Sequence, residues 1–122
     1  MLLKKNRLQK KKDFERVFAQ GKGFRQDLLF LKAAKNDLGT IRFGIVVSKK
    51  VSKSAVKRNK VKRRLREIIR LQLQNHPTFG AEQDSKGIDV VVVALPGIQD
   101  KNYQEMEIMV SKLFEKAGIF RS

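Results

Sequence analysis

Phe14, Val17 and Phe18 recur at helical spacing within Asp13-Phe14-Glu15-Arg16-Val17-Phe18-Ala19-Gln20-Gly21, which predicts a short helix over about 11–20 stopped by Gly21. Leu28-Leu29-Phe30-Leu31 is a short apolar run between polar flanks and reads as a strand. Asn36-Asp37-Leu38-Gly39 has turn chemistry. The β-branched and aromatic run Ile41-Arg42-Phe43-Gly44-Ile45-Val46-Val47-Ser48 predicts a second strand, and the two strands with their turn look like a hairpin. Ser52 and Ser54 are candidate N-caps for a long helix over about 55–73. The stretch Asn75-His76-Pro77-Thr78-Phe79-Gly80 ends that helix, and a loop runs on to Gly87. Asp89, four valines and Ala94 form a continuous apolar strand of the kind covered on both faces, stopped by Leu95-Pro96-Gly97. The last element, about 101–117, is a helix with Tyr103, Met106, Met109, Val110, Leu113, Phe114 and Ala117 in one stripe and Gly118 at its cap. The expected order is α-β-β-α-β-α, an α+β layout in a single domain over residues 1–122, whose residues 1–10 form a basic, partly flexible arm.

Charge adds what the apolar pattern does not show. The chain has 28 Lys+Arg against 12 Asp+Glu, a net charge of +16. Residues 1–74 hold 23 basic and 5 acidic side chains, whereas residues 75–122 hold 5 and 7. Solubility alone does not require such clustering. The asymmetry points to a polyanionic partner: RNA, DNA or an anionic membrane. With 41% hydrophobic residues a folded core is expected, and no apolar stretch approaches the roughly 18 residues of a membrane span. Met1-Leu2-Leu3-Lys4-Lys5 lacks the pattern of a signal peptide. No cysteine is present, which excludes thiol chemistry and makes a reducing cytoplasm the natural expectation.

The charge concentrates on the central helix. On a wheel of about 100° per residue, Val61, Leu65 and Ile68 share one face with Ile69 at its edge, while Asn59, Arg63, Arg66 and Arg70 share the opposite face, flanked by Lys62. Residues 49–70 contain eleven basic residues and one acid, Glu67. Like charges at helical spacing destabilise an isolated helix, so these are expected to face phosphates. Asn59 either bonds a base edge or sugar hydroxyl, or caps locally near the helix start. A membrane-surface helix is disfavoured because its apolar face has no Trp or Phe and is needed by the strands. Phe14 and Phe18 lie four apart beside basic residues; by spacing alone they are core or a stacking platform for unpaired bases.

Catalytic chemistry is sparse. The single histidine, His76, lies in a polar loop, and Asp84, Asp89, Asp100, Glu105 and Glu107 form no recognisable pair. Gly21-Lys22-Gly23 is too short for a phosphate-binding loop. The protein alone is not expected to be catalytic.

Arg58-Asn59-Lys60-Val61-Lys62-Arg63-Arg64-Leu65-Arg66-Glu67 resembles the signature helix of the protein component of bacterial ribonuclease P. Arg42-Phe43-Gly44-Ile45-Val46-Val47-Ser48-Lys49-Lys50-Val51 resembles that family's second strand, and Asp89 with its valines its third. Arg7-Leu8, Asp13-Phe14, Val17-Phe18 and Gly21 resemble its first helix. The motifs stand in order over nearly the whole chain. Two departures are Lys60, where the family often has Arg, and Leu95, where it often has a basic residue.

The resemblance implies a two-layer α/β sandwich with a left-handed βαβ crossover, against the usual right-handed rule. It implies partnership with a catalytic RNA and with precursor tRNA, whose 5′ leader the complex removes, with Mg²⁺ held by the RNA subunit and substrate and none by the protein alone. No membrane or DNA partner is implied. Arg58, Asn59, Lys62, Arg63, Arg66, Arg70 and Lys53 would contact the RNA subunit. Phe14, Phe18, Phe30, Ser48, Lys49 and Lys50 would hold the leader. The protein would lower the magnesium requirement by offsetting repulsion between RNA subunit and substrate. The alternative from charge alone is a ribosomal or assembly RNA-binding protein without a processing role; a DNA-binding recognition helix lacks helix-turn-helix spacing and a dimer seam.

Overall fold

The most apolar strand lies in the interior of the sheet, where its pattern puts it. The computed structural model describes residues 6–75 and 87–119. Within them run α1 (Lys11–Gln20), β1 (Lys22–Gln26), β2 (Leu29–Lys35), β3 (Ile41–Val47), α2 (Ala55–Asn75), β4 (Ile88–Ala94), a 3-10 turn (Ile98–Asp100) and α3 (Tyr103–Lys116). The sheet order is β1-β2-β4-β3. β4 is antiparallel to β2 and parallel to β3, the latter pair joined through α2.

The expected hairpin between β2 and β3 does not form. Its turn is real: Asp37 and Gly39 take φ of 60° and 70°, and the Asn36 side chain accepts from the Leu38 amide. But β4 lies between the two strands, because a run apolar on both sides gains most with a neighbour at each edge and a layer on each face. The hairpin that forms joins β1 to β2 through the two-residue turn Asp27-Leu28, with Asp27 at φ 52°. β1 adds a strand to the expected order. It is an edge strand whose only apolar side chain is Phe24, so no alternation marks it in the sequence.

Alternation along the strands sorts the core into two. Leu29, Leu31, Phe43, Val47, Val90 and Val92 face α2 and α3 and pack with Val61, Leu65, Ile68, Ile69, Met106, Val110, Leu113 and Phe114. The rings of Phe43 and Phe114 stack with centroids 5.7 Å apart. The dry stripe of α2 is thus the one its spacing predicted. Val91 points to the other face, where it meets Val17 of α1 and Leu8. Sheet and α2–α3 pair make the two principal layers; α1 covers part of the far face.

Local signals set the helix ends. The Ser54 hydroxyl accepts from the Lys57 amide at the head of α2. Asn102 and Glu105 form a reciprocal capping box on α3, and Gly118 at φ 70° follows its end. Gly21 stops α1 for another reason. Its φ is −75°, but a Cβ there would lie 2.5 Å from the Val17 carbonyl oxygen and 3.0 Å from that of Ala33.

Candidate nucleic-acid interface

Three rows of side chains cross the α1 face of the sheet, fixed by strand register. The first is Arg42–Asp89–Ala34, the second Gly44–Val91–Lys32, the third Val46–Val93–Phe30. α1 lies over the middle row. Val17 buries against Val91, the Phe14 ring seats on Gly44, and the Lys32 ammonium donates to the Phe18 carbonyl at 2.8 Å. A Cβ on Gly44 would lie 2.5 Å from two Phe14 ring carbons, so the bare backbone is what lets the ring sit there.

The first row is a polar clamp. Asp89 is fully buried and accepts from Arg42 Nε at 2.8 Å and Nη2 at 2.7 Å, from Asn36 Nδ2 at 2.7 Å, and from Arg16 Nη2. Arg16 also donates to the Lys35 carbonyl at 2.9 Å, and Asp13 stands 3.7 Å from Arg42. The Asp89 hydrogen bonds raise the Arg42 pKa above its ordinary value. This network ties one flank of α1 to β2, β3 and β4. Nothing in the spacing of the scattered acids marks this pair, although Arg42 is the one charge within β3 and Asp89 the one within β4.

α1 leaves the third row half-buried. Val46, Val93 and Phe30 form an apolar strip beside the opposite flank of the helix, where Phe14 packs in part and Phe18 is 40% exposed. Ser48, Lys49 and Lys50 follow β3 and are exposed, with the Ser48 hydroxyl accepting from the Lys50 amide at 3.3 Å. A half-buried apolar strip, an exposed Phe18 and the basic exit therefore lie at one end of the α1 face.

The polar face of α2 carries a shallow groove of about 480 Å³ lined by Val56, Asn59, Lys62, Arg63 and Arg66. Three predicted members are placed differently. Arg70 pairs with Glu67 through bonds of 2.6 and 3.1 Å, which holds the Glu67 carboxyl below and the Arg70 guanidinium above their ordinary values. Arg58 turns back to donate to the Ser52 and Lys53 carbonyls at 2.9 and 3.0 Å, closing the loop before the helix. Lys53 is exposed on that loop and does not line the groove.

A notch of about 290 Å³ joins the two surfaces at the β3 edge, lined by Arg7, Leu8, Gln9, Phe14, Phe43, Gly44, Ile45, Lys62 and Arg66. It exists because residues of the basic arm dock there: Arg7 bridges Phe43, and the Leu8 amide donates to the Phe43 carbonyl at 2.8 Å. Arg7 Nε is buried without a hydrogen-bond partner. Arg7 belongs to a motif of the family resemblance, but neither it nor Gln9 is among the predicted site residues.

Among the described residues no three His, Cys, Asp or Glu side chains gather as a metal group. The buried Asp89 has both oxygens taken by guanidinium and amide donors. His76 and Asp84 lie outside the described residues. No described helix is long and apolar enough to cross a membrane. The side chain of Leu95 is half-buried and its amide donates to the Leu28 carbonyl at 2.9 Å.

Comparison with known proteins follows the same lines. The family model described as Ribonuclease P matches residues 2–118. A ribonuclease P protein component from Clostridium botulinum is 40% identical over 119 residues, 97% of this chain and 99% of that protein. One from Pseudanabaena is 39% identical over 120 residues, covering 98% and 97%. Among solved structures, a Staphylococcus aureus RNase P protein superposes with TM-score 0.80 at 26% identity over 95% of this chain and 98% of that one. A Thermotoga maritima RNase P protein superposes with TM-score 0.73 at 28% identity, covering 90% and 96%.

Proposed function

The chain belongs to the Ribonuclease P protein family, a protein subunit of the endoribonuclease that matures the 5′ end of tRNA, and from that premise we propose how its surfaces divide the work. The ribosomal-assembly alternative gives way to this membership.

The cleft beside α1 takes the single-stranded 5′ leader. Its partner must bind leaders of many sequences, and stacking on Phe18 and the free part of Phe14 over the strip of Val46, Val93 and Phe30 supplies affinity without reading base edges. Ser48, Lys49 and Lys50 meet the leader backbone at the basic exit. The groove of α2 takes the RNA subunit through Asn59, Lys62, Arg63 and Arg66. Arg58 shapes the entrance to that helix, Lys53 lends its charge from the loop, and Arg70 is held back by Glu67.

We infer that magnesium is held by the RNA subunit and the substrate, with none held by the protein alone. The protein contributes its net charge of +16, which offsets repulsion between two RNAs and lowers the magnesium needed for cleavage. The cytoplasm is the compartment this work requires.

One observation carries the assignment: a strip of the sheet left half-covered beside a Phe that is 40% exposed, opposite the flank that is clamped. In reconstituted holoenzyme, Phe18→Ala should weaken binding of long-leader precursor tRNA by about 5–150-fold, the equivalent of about 1–3 kcal/mol of stacking per base, and leave RNA-subunit binding intact. Arg63→Ala should do the reverse. Equal behaviour of the two variants would defeat the division.

A further inference from the structure

We propose that the notch between Arg7, Gln9, Phe14, Gly44, Lys62 and Arg66 is a phosphodiester subsite, occupied by RNA where the α1 cleft meets the α2 groove. This rests on the assignment of both surfaces to RNA.

Several independent features converge. Lys62 and Arg66 line the notch and the α2 groove alike, and Phe14 belongs to the cleft wall, so the notch is a passage between two surfaces that the sequence presented as separate. Cations reach it from elements far apart in the chain, Arg7 from the docked arm and Lys62 and Arg66 from α2, and no carboxylate is among its lining residues. Three cations around one space without an anion repel each other; a bound phosphate turns that repulsion into attraction. Arg7 is half-buried beside the notch, and its Nε finds no hydrogen-bond partner within the chain, which is costly to leave unmet. Gln9 is exposed at the rim and offers both a donor and an acceptor to a ribose hydroxyl. At about 290 Å³ the notch stands at the small end of ligand sites, which suits one nucleotide unit and not a folded RNA element.

The phosphodiester comes from the leader or from the RNA subunit, and the measurement separates them. Reconstituted holoenzyme with Arg7→Gln is compared with a Lys112→Gln control, which removes the same charge from an exposed position on α3. Two affinities are titrated against salt: protein for the RNA subunit, and holoenzyme for precursor tRNA with a long or a one-nucleotide leader. Arg7→Gln should weaken one of them about tenfold beyond the control and flatten its log–log salt slope by about 0.7, the value for one contact to single-stranded RNA. A loss confined to the long-leader substrate assigns the site to the leader; a loss in RNA-subunit affinity assigns it to that subunit. Should Arg7→Gln fail to fold, Gln9→Glu at the exposed rim places a carboxylate in the notch and must weaken the same affinity. If correctly folded variants match the Lys112→Gln control in both titrations, the subsite does not exist. Phe18→Ala in parallel keeps the failures apart, because its leader-dependent loss survives if only the notch is wrong.

Discussion

Asp89→Asn changes two atoms' chemistry and almost no volume, so its effect isolates the clamp. Asp89 presents two oxygens to four donors: two from Arg42, one from Asn36 and one from Arg16. Asparagine keeps one oxygen, which can retain the Asn36 and Arg42 Nε bonds. Its amide nitrogen then faces the Nη2 groups of Arg42 and Arg16, donor against donor. Two charge-assisted bonds are lost at about 1.5–3 kcal/mol each, Arg16 loses its counter-charge, and Arg42 keeps only Asp13 at 3.7 Å. Breaking a buried ion pair from one side costs about 3–5 kcal/mol. The arginine side chains are 28% and 19% exposed and can relax toward water, which places the loss at the lower end, about 3 kcal/mol. For a chain of this length that lowers Tm by roughly 10–15 °C. Urea unfolding of the free protein at neutral pH measures it, with an unchanged m-value showing that the same surface is still buried. The functional consequence is separable: α1 loses its fixed rotation, so long-leader binding should weaken while RNA-subunit binding holds. A stability loss under about 1 kcal/mol would refute the idea that this carboxylate organises the face.

Two further changes probe the same geometry. Gly44→Ala drives a methyl into the Phe14 ring and should cost about 1–3 kcal/mol by overpacking, with a matching loss of leader binding; a neutral result in both thermal melting and leader titration would show the ring is not seated as described. Glu67→Gln frees Arg70 and should tighten RNA-subunit binding and steepen its salt slope by about 0.7–0.9. Since Arg70 lowers the Glu67 pKa, the pair is intact above the ordinary carboxylate range and opens only as pH falls through the lowered value. The variant should therefore differ from wild type at every pH from about 5 upward, checked by filter binding across pH. No difference at neutral pH would mean Arg70 already reaches RNA.

How much of this is visible in the sequence depends on the range of the interaction. α1 over Lys11–Gln20 and the dry stripe Val61, Leu65 and Ile68 follow from local periodicity. β1 does not, since one Phe among Lys, Gly, Arg and Gln sets no alternation. The Asn36–Gly39 turn was legible but its partner strand was not: turn chemistry fixes a bend, and pairing is decided by where β4 finds two neighbours. The same limit applies at the interface. A helical wheel places Arg70 with Arg63 and Arg66, but it weighs faces and not bonds, so it misses Glu67 three residues back. Arg7 stands in a recognisable motif, but its place at the interface is missed because that depends on the arm docking against β3.

The clamp also explains why the cleft stays open. α1 buries one side chain fully, Val17, worth about 1.5–3 kcal/mol, and a single apolar contact on a ten-residue helix does not fix its rotation. Rotation could be fixed by burying Phe14 and Phe18 as well, but that would seal the third row and remove the stacking surface. Fixing it instead from the opposite flank, with Arg16 and Asp13 against Asp89 and Arg42, leaves those rings available. A buried charge network is often replaceable by apolar residues without loss of stability. Here such a replacement would keep the stability and still have to hold α1 at the same angle, so a repacked Arg16, Arg42 and Asp89 that restores Tm should recover leader binding only in part.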